Sequence, residues 1–246
     1  PTARSNGLSQ EITNEKCEKF EKGKRLVLSS QKYEDADLEV LTEFALPNLE
    51  VLELDRNVIT GNGAGILSEK GNWPKLSIFN LSHNKVDAGG AAALSKTKFW
   101  VNLTRLKISD NEIGAEGVKA LSTNNTWVKL TWLDLSRNKI CAEGAAELAK
   151  NISWKNLTEL ILAWNNLGQE GATALSMNIS WTQLKTLDLS YNHIGDEGAL
   201  ALSKNTSWMQ LTTLSLSANL ISAKGEVVLR NRWPDIKSFE LPLVVS

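Results

Sequence analysis

The sequence predicts an α/β solenoid: a right-handed coil of short units with a parallel sheet on its concave face and helices on its convex face. Three observations predict it. Asn57, Asn84, Asn111, Asn138, Asn165, Asn192 and Asn219 recur every 27 residues without insertion or deletion. Each closes the same phrase, as in LTRLKISDN at Leu103–Asn111 and LKTLDLSYN at Leu184–Asn192. Six positions past each Asn comes Gly (Gly63 through Gly225), and ten past it Leu (Leu67 through Leu229). A period of roughly 20–50 residues marks units that can bury their apolar faces only against their neighbours.

The elements follow from the register. Counting the opening Leu as the first position, apolar side chains fall at the first, fourth and sixth, as in Leu103, Leu106 and Ile108. Polar residues lie between them, the period-two signature of a short strand with one buried face. Two residues past the Asn another aliphatic enters, from Ile59 to Ile221. The stretch between Gly and Leu is Ala-rich (GAAAL at 90–94, GATAL at 171–175), which favours a short helix. The small residue after each Gly lets that helix lie close to the sheet. Helices are wider than the ~4.8 Å spacing of strands, which places the sheet inside the curve.

Two side chains have scaffold duties. The Asn amide, at a strand end, is expected to bond the backbone of its own turn and of the next repeat's turn, because leaving such buried groups unpaired costs about 1–3 kcal/mol each. Of nine Trp, six (Trp73, Trp100, Trp127, Trp154, Trp181, Trp208) keep the 27-residue period, and Trp233 ends the series two residues early. These read as fillers of the helix-to-strand corner, stacked on their neighbours. Trp132 and Trp164 break the period.

The whole chain, 1–246, reads as a single domain. Residues 1–22 form an N-terminal cap in which Ile12, Cys17 and Phe20 stand near helical spacing. Residues 23–48 are a degenerate first repeat, with Leu26 and Leu28 in the strand, Gln31 in the Asn place, and Leu38 and Leu41 in the helix. Residues 49–235 hold seven repeats, and 236–246 a cap strand built on Ile236, Phe239 and Leu241 and stopped by Pro242.

Composition narrows the function. A net charge of −1 argues against nucleic acid as partner. No apolar run approaches the ~18 residues of a membrane span, so no membrane is expected. Two Cys far apart, Cys17 and Cys141, point to a reducing, cytoplasmic compartment, and the polar start carries no signal peptide. Two His and two Cys at no ligand spacing imply no metal and no cofactor. Phosphate-cradling Gly loops and nucleophile elbows are missing. Seven N-x-S/T sequons (Asn80, Asn102, Asn124, Asn151, Asn156, Asn178, Asn205) read as by-products of the repeat.

The candidate partner face is the inner one, at positions three, five, seven and eight. There Trp132, Ile161, Trp164 and Tyr191 place four large apolar side chains mid-face, with Arg105, Lys107, Asp134, Arg137 and Asp188 around them. Aromatic anchors beside Arg are the composition of a protein-binding hot spot. In the alternative, Arg105 merely stacks on Trp132 and Arg137 on Trp164, while Lys107 and Asp134 form a weak surface pair. The nearest carboxylate pair, Asp134 and Asp188, lies two strands apart, about 10 Å. An open, wet face would not raise an acid's pKa, so no catalytic residue is assigned and the chain reads as non-enzymatic.

The phrase LxxLxLxxN followed by Ile or Leu, with Gly six and Leu ten past the Asn, resembles the ribonuclease-inhibitor-like class of leucine-rich repeats. Seven units from Leu49 to Asp235 carry it. The resemblance implies a monomeric protein-binding module. It also admits a regulator that activates a small GTPase, and an effector delivered into a host cell.

Overall fold

The structure is a computed structural model describing residues 24–236 and the backbone of 238–240. The expectations for Ile12, Cys17, Phe20, Leu241 and Pro242 lie outside the described residues. From the N-terminus the elements are β1 (Arg25–Val27), α1 (Asp35–Glu43), β2 (Val51–Glu53), α2 (Gly61–Lys70), β3 (Ile78–Asn80) and α3 (Ala88–Ser95). There follow β4 (Arg105–Lys107), α4 (Gly114–Ser122), β5 (Trp132–Asp134), α5 (Cys141–Ala149), β6 (Glu159–Ile161) and α6 (Gly168–Ser176). The series closes with β7 (Thr186–Asp188), α7 (Asp196–Ser203), β8 (Thr213–Ser215), α8 (Ala223–Arg232) and β9 (Ser238–Glu240). The strands form one parallel sheet in sequence order. From β2 to β8 each residue pairs with the one 27 positions on, as in Leu106↔Leu133 and Leu133↔Leu160.

Three-residue strands hold together because the core is a stack of identical layers. The Leu, Ile and Trp that keep the repeat's period are buried between sheet and helix, from Leu26 to Trp233. Trp73 and Trp100 stack with planes 2° apart. The Trp100 indole donates to the Gly71 carbonyl. Those of Trp127, Trp154, Trp181, Trp208 and Trp233 have no hydrogen-bond partner, so these rings contribute packed area alone.

The Asn ladder is fully hydrogen-bonded. Asn165 Nδ2 donates to the carbonyls of Leu162 (3.0 Å), Ala163 (3.3 Å) and, one repeat earlier, Leu135 (2.9 Å). Its Oδ1 accepts from the backbone N–H of Asn138 and Ile140, also one repeat earlier. The amide thus ties its own turn to the preceding repeat, not to the next one as the sequence suggested. Gln31 has no such role; exposed, its amide reaches only the Ser29 carbonyl.

A second ladder runs through the helix-to-strand turns. Asn124, Asn151, Asn178 and Asn205 are buried. Each donates across to the repeat before it (Asn151 Nδ2 to the Ser122 carbonyl) and accepts from the N–H groups two and three residues on, Ser153 and Trp154 in that repeat. These four sequon amides are therefore held inside the fold.

Helix-to-helix contact depends on the Gly of each repeat, which sits where adjacent helices come closest. A Cβ on Gly144 would lie 2.5 Å from Ile140 Cγ2 and 3.0 Å from Ala115 Cα of the previous repeat.

Two kinds of turn lead into the helices. Thr60, Asp87 and Ser222 cap theirs with side-chain oxygens. In α4, α5 and α6 the first residue, third past the Asn, is instead left-handed: Gly114 (φ 62), Cys141 (φ 57) and Gly168 (φ 63). A side chain costs about 1–2 kcal/mol in that region, and Cys141 alone of the three has one. Cys141→Gly is expected to raise stability by about 0.5–1 kcal/mol, the remainder being offset by the greater freedom of Gly in the unfolded chain. Urea unfolding reads this directly, and an unchanged midpoint contradicts it.

Asp196 ties α7 to α8 by accepting from the Ser222 hydroxyl and backbone N–H. Those bonds, the hydroxyl's first, hold its carboxyl below its usual pKa. A depressed folded value means stabilisation that is complete above the unfolded pKa and lost as pH falls through the folded one. Asp196→Asn is therefore expected to flatten the stability profile below about pH 4 and leave its shape near neutrality unchanged. Unfolding midpoints between about pH 2 and pH 7 check it.

Candidate functional site: the inner face and its left-handed row

Position eight of every repeat, just before the ladder Asn, takes the left-handed conformation: Arg56, His83, Asp110, Arg137, Trp164, Tyr191 and Ala218 all have φ between 52° and 60°. The turn requires it. From Arg56 to Tyr191 each residue in the row turns its N–H to a carbonyl one repeat on, as Trp164 does to Ser190 (3.0 Å) and Tyr191 to Ser217 (2.9 Å). Such φ values are uncommon outside Gly, Asn, Asp and His, and for a bulky ring they are exceptional. The His83 and Asp110 of this row were the one signal in the sequence that could have revealed it.

Side chains of this row meet across repeats. His83 Nδ1 lies 2.7 Å from Asp110 Oδ2. The Arg137 guanidinium covers the Trp164 ring at 4.4 Å, and Trp164 stacks on Tyr191 with centroids 3.9 Å apart and planes 10° apart. The three form a column across three repeats. Trp164 remains 45 % exposed and Tyr191 43 %. At the next level stands Ala218, too small to cover another ring. Beside the column a groove of about 320 Å³ is lined by Asp110, Glu112, Arg137, Lys139 and Trp164 among others, with both signs of charge represented.

The other candidates are placed as follows. Trp132 and Ile161 stand on the sheet face, half-buried. The cation over Trp132 is Lys107, 5.2 Å from the ring centroid, rather than Arg105, which is exposed. No ion pair joins Lys107 to Asp134 among the described residues. Asp134 Oδ1 instead accepts from the N–H (2.9 Å) and hydroxyl (2.6 Å) of Ser136. Asp188 does the same with Ser190. Both carboxylates thus brace the ends of their own strands. The structure brings Arg137, Trp164 and Tyr191 together as one unit and sets Lys107 with Trp132 as a second. No group of three or more His, Cys, Asp or Glu suited to a metal occurs among the described residues. No described helix is long and apolar enough to cross a membrane.

Comparison with solved structures finds similarity to an internalin from Listeria monocytogenes at 18% identity and a TM-score of 0.40, over 97% of this chain and 94% of that one. That likeness is too loose to support any reading of this chain. Comparison with curated proteins finds no match. Residues 45–66, 74–95, 101–122, 128–149, 155–176 and 182–203 match the family described as Leucine Rich repeat. Each matched segment spans a strand, its Asn turn and all or part of its helix, and together they make up more than half of the sequence, so the chain belongs to the leucine-rich repeat family.

Proposed function

We propose that the protein is a non-enzymatic interaction module that captures a folded protein partner on its concave face. The Arg137–Trp164–Tyr191 column is the anchor, with Trp132 and Ile161 beside it and Arg105, Lys107, Asp134 and Asp188 around them. The carrying observation is that two large rings stand half-exposed in slots the fold fills elsewhere with Asp110 or Ala218. Mutual stacking returns about 0.5–1.5 kcal/mol and the cation on Trp164 a similar amount, which holds the column rigid before any partner arrives. A pre-ordered aromatic–Arg cluster loses little side-chain freedom on binding, the property that makes a hot spot.

Affinity capture from lysate with wild type beside Trp164→Ala and Tyr191→Ala tests the reading. Both variants are expected to unfold within about 1 kcal/mol of wild type, as exposed positions do. Each is expected to weaken retention of the captured protein about tenfold or more. A partner held equally by all three proteins, or by none, defeats the proposal. So does a large loss of stability, which would assign the column to the fold.

A further inference from the structure

The near-zero net charge hides a sorting of charges between the two edges of the solenoid. Seven return segments, from Phe44 to Thr212, join a helix to the next strand. They contain eight lysines, a single carboxylate (Glu50) and no arginine. At the opposite edge the first turns of the helices hold eight carboxylates. Helix dipoles favour this polarity, since cations are stabilised at C-termini and anions at N-termini. Yet dipole complementation does not account for what stands among the lysines. Ile152, Met177, Ile179 and Met209 lie on the same edge at 68–73 % exposure, with Val101 and Val128 nearly half exposed. Lys96, Lys98, Lys129, Lys155, Lys185 and Lys204 are interspersed with them along the chain, and none has a carboxylate partner among the described residues.

The row is rigid. The second Asn ladder ties four of the return segments to the end of the preceding repeat's helix, through Asn124 to Ser95, Asn151 to Ser122, Asn178 to Ala149 and Asn205 to Ser176, and joins Asn178 to Asn151 and Asn205 to Asn178. Lys129 and Asn156 add cross-bonds at the tips, to Asn102 and Val128. Aliphatic tips are thus presented at a fixed spacing with ammonium groups between them.

From this arrangement we infer a second docking surface, independent of the concave face: the helix-to-strand edge seats on an anionic phospholipid bilayer. Its lysines lie among the headgroups, and Ile152, Met177, Ile179 and Met209 enter the acyl boundary. Lys among bulky aliphatics is the composition that adsorbs to such an interface. A single-stranded nucleic acid would need rings to stack on, and every described aromatic on this edge is buried or half-buried. Protein interfaces are depleted in Lys and anchored by Trp, Tyr and Arg; these seven segments contain no Tyr or Arg, and each of their Trp is buried. Peripheral adsorption requires no membrane-spanning helix.

Sedimentation with vesicles of phosphatidylcholine, alone or mixed with phosphatidylserine, tests the inference. Wild type is expected to sediment with the mixed vesicles and not with the neutral ones, and to be released as salt is raised. Lys155→Glu with Lys204→Glu, and separately Ile152→Ser with Ile179→Ser, are each expected to lower binding about tenfold or more. All four side chains are exposed, and a thermal melt verifies that the folds are intact. Equal sedimentation with both vesicles, none with either, or binding that neither pair reduces would overturn it. Retention on polyuridylate or polyglutamate with none on vesicles would overturn it in favour of a nucleic acid or an acidic protein.

Discussion

Asn165→Ala is expected to destabilise the protein by about 3–5 kcal/mol, although it removes only one small side chain. Five backbone groups depend on that amide: the carbonyls of Leu135, Leu162 and Ala163, and the N–H groups of Asn138 and Ile140. The site is sealed, with no exposed surface, so water cannot replace the lost bonds without opening the turn. Because each repeat is stabilised mainly by its neighbours, the damage falls on the junction between the units of Asn138 and Asn165. Urea unfolding should therefore show a broader transition as well as a lower midpoint. Asn156→Ala is the control: its amide also bonds a carbonyl, that of Val128, but it is exposed and should change stability by less than about 0.5 kcal/mol. Equal effects at the two positions would sink the claim that the ladder holds the repeats together.

Gly144→Ala is expected to cost about 3 kcal/mol, at the upper end for overpacking. The new methyl would meet Ile140 Cγ2 at 2.5 Å and Ala115 Cα at 3.0 Å. The first can yield by rotating; the second is backbone of the neighbouring helix and moves only if the helices separate. Gly114→Ala isolates the other way a glycine can matter. Nothing lies within 4 Å of its added Cβ, so only the left-handed backbone opposes it, for a net loss of about 0.5–1 kcal/mol once the reduced freedom of the unfolded chain is set against it. Thermal melts of the two variants should rank Gly144→Ala as the less stable; the reverse order would mean that the helices are more loosely packed than the geometry indicates.

The scaffold was legible in the sequence because packing constrains every repeat in the same way. Leu, Asn, Gly and Trp answer to one layer spacing, and the period reports it. The sheet, its order and the burial of Trp73 to Trp208 follow from that constraint. The face was harder, for local reasons. Sheet register sets Arg105 directly beside Trp132, which made Arg105 the expected cation. On three-residue strands the diagonal Lys107 reaches the ring equally well, and it is the one that does so. Asp134 looked free to pair with Lys107, but a hydroxyl two residues along its own chain captures it first. The buried amides of Asn124 to Asn205 were hidden inside sequons, a pattern with a different meaning at an open loop. The division of charge between edges was invisible to net charge because the two edges nearly cancel.

The left-handed row has a consequence for how such a surface can change. Every non-glycine residue there already accepts the same backbone conformation, so exchanging one for another leaves that term nearly constant. Arg, His, Asp, Trp, Tyr and Ala occupy equivalent slots on one frame. The row behaves like a line of type sockets: the frame fixes spacing and orientation, while the characters set in it can be replaced one at a time. A new partner can thus be met by re-lettering position eight, with no adjustment to the sheet, the helices or either Asn ladder.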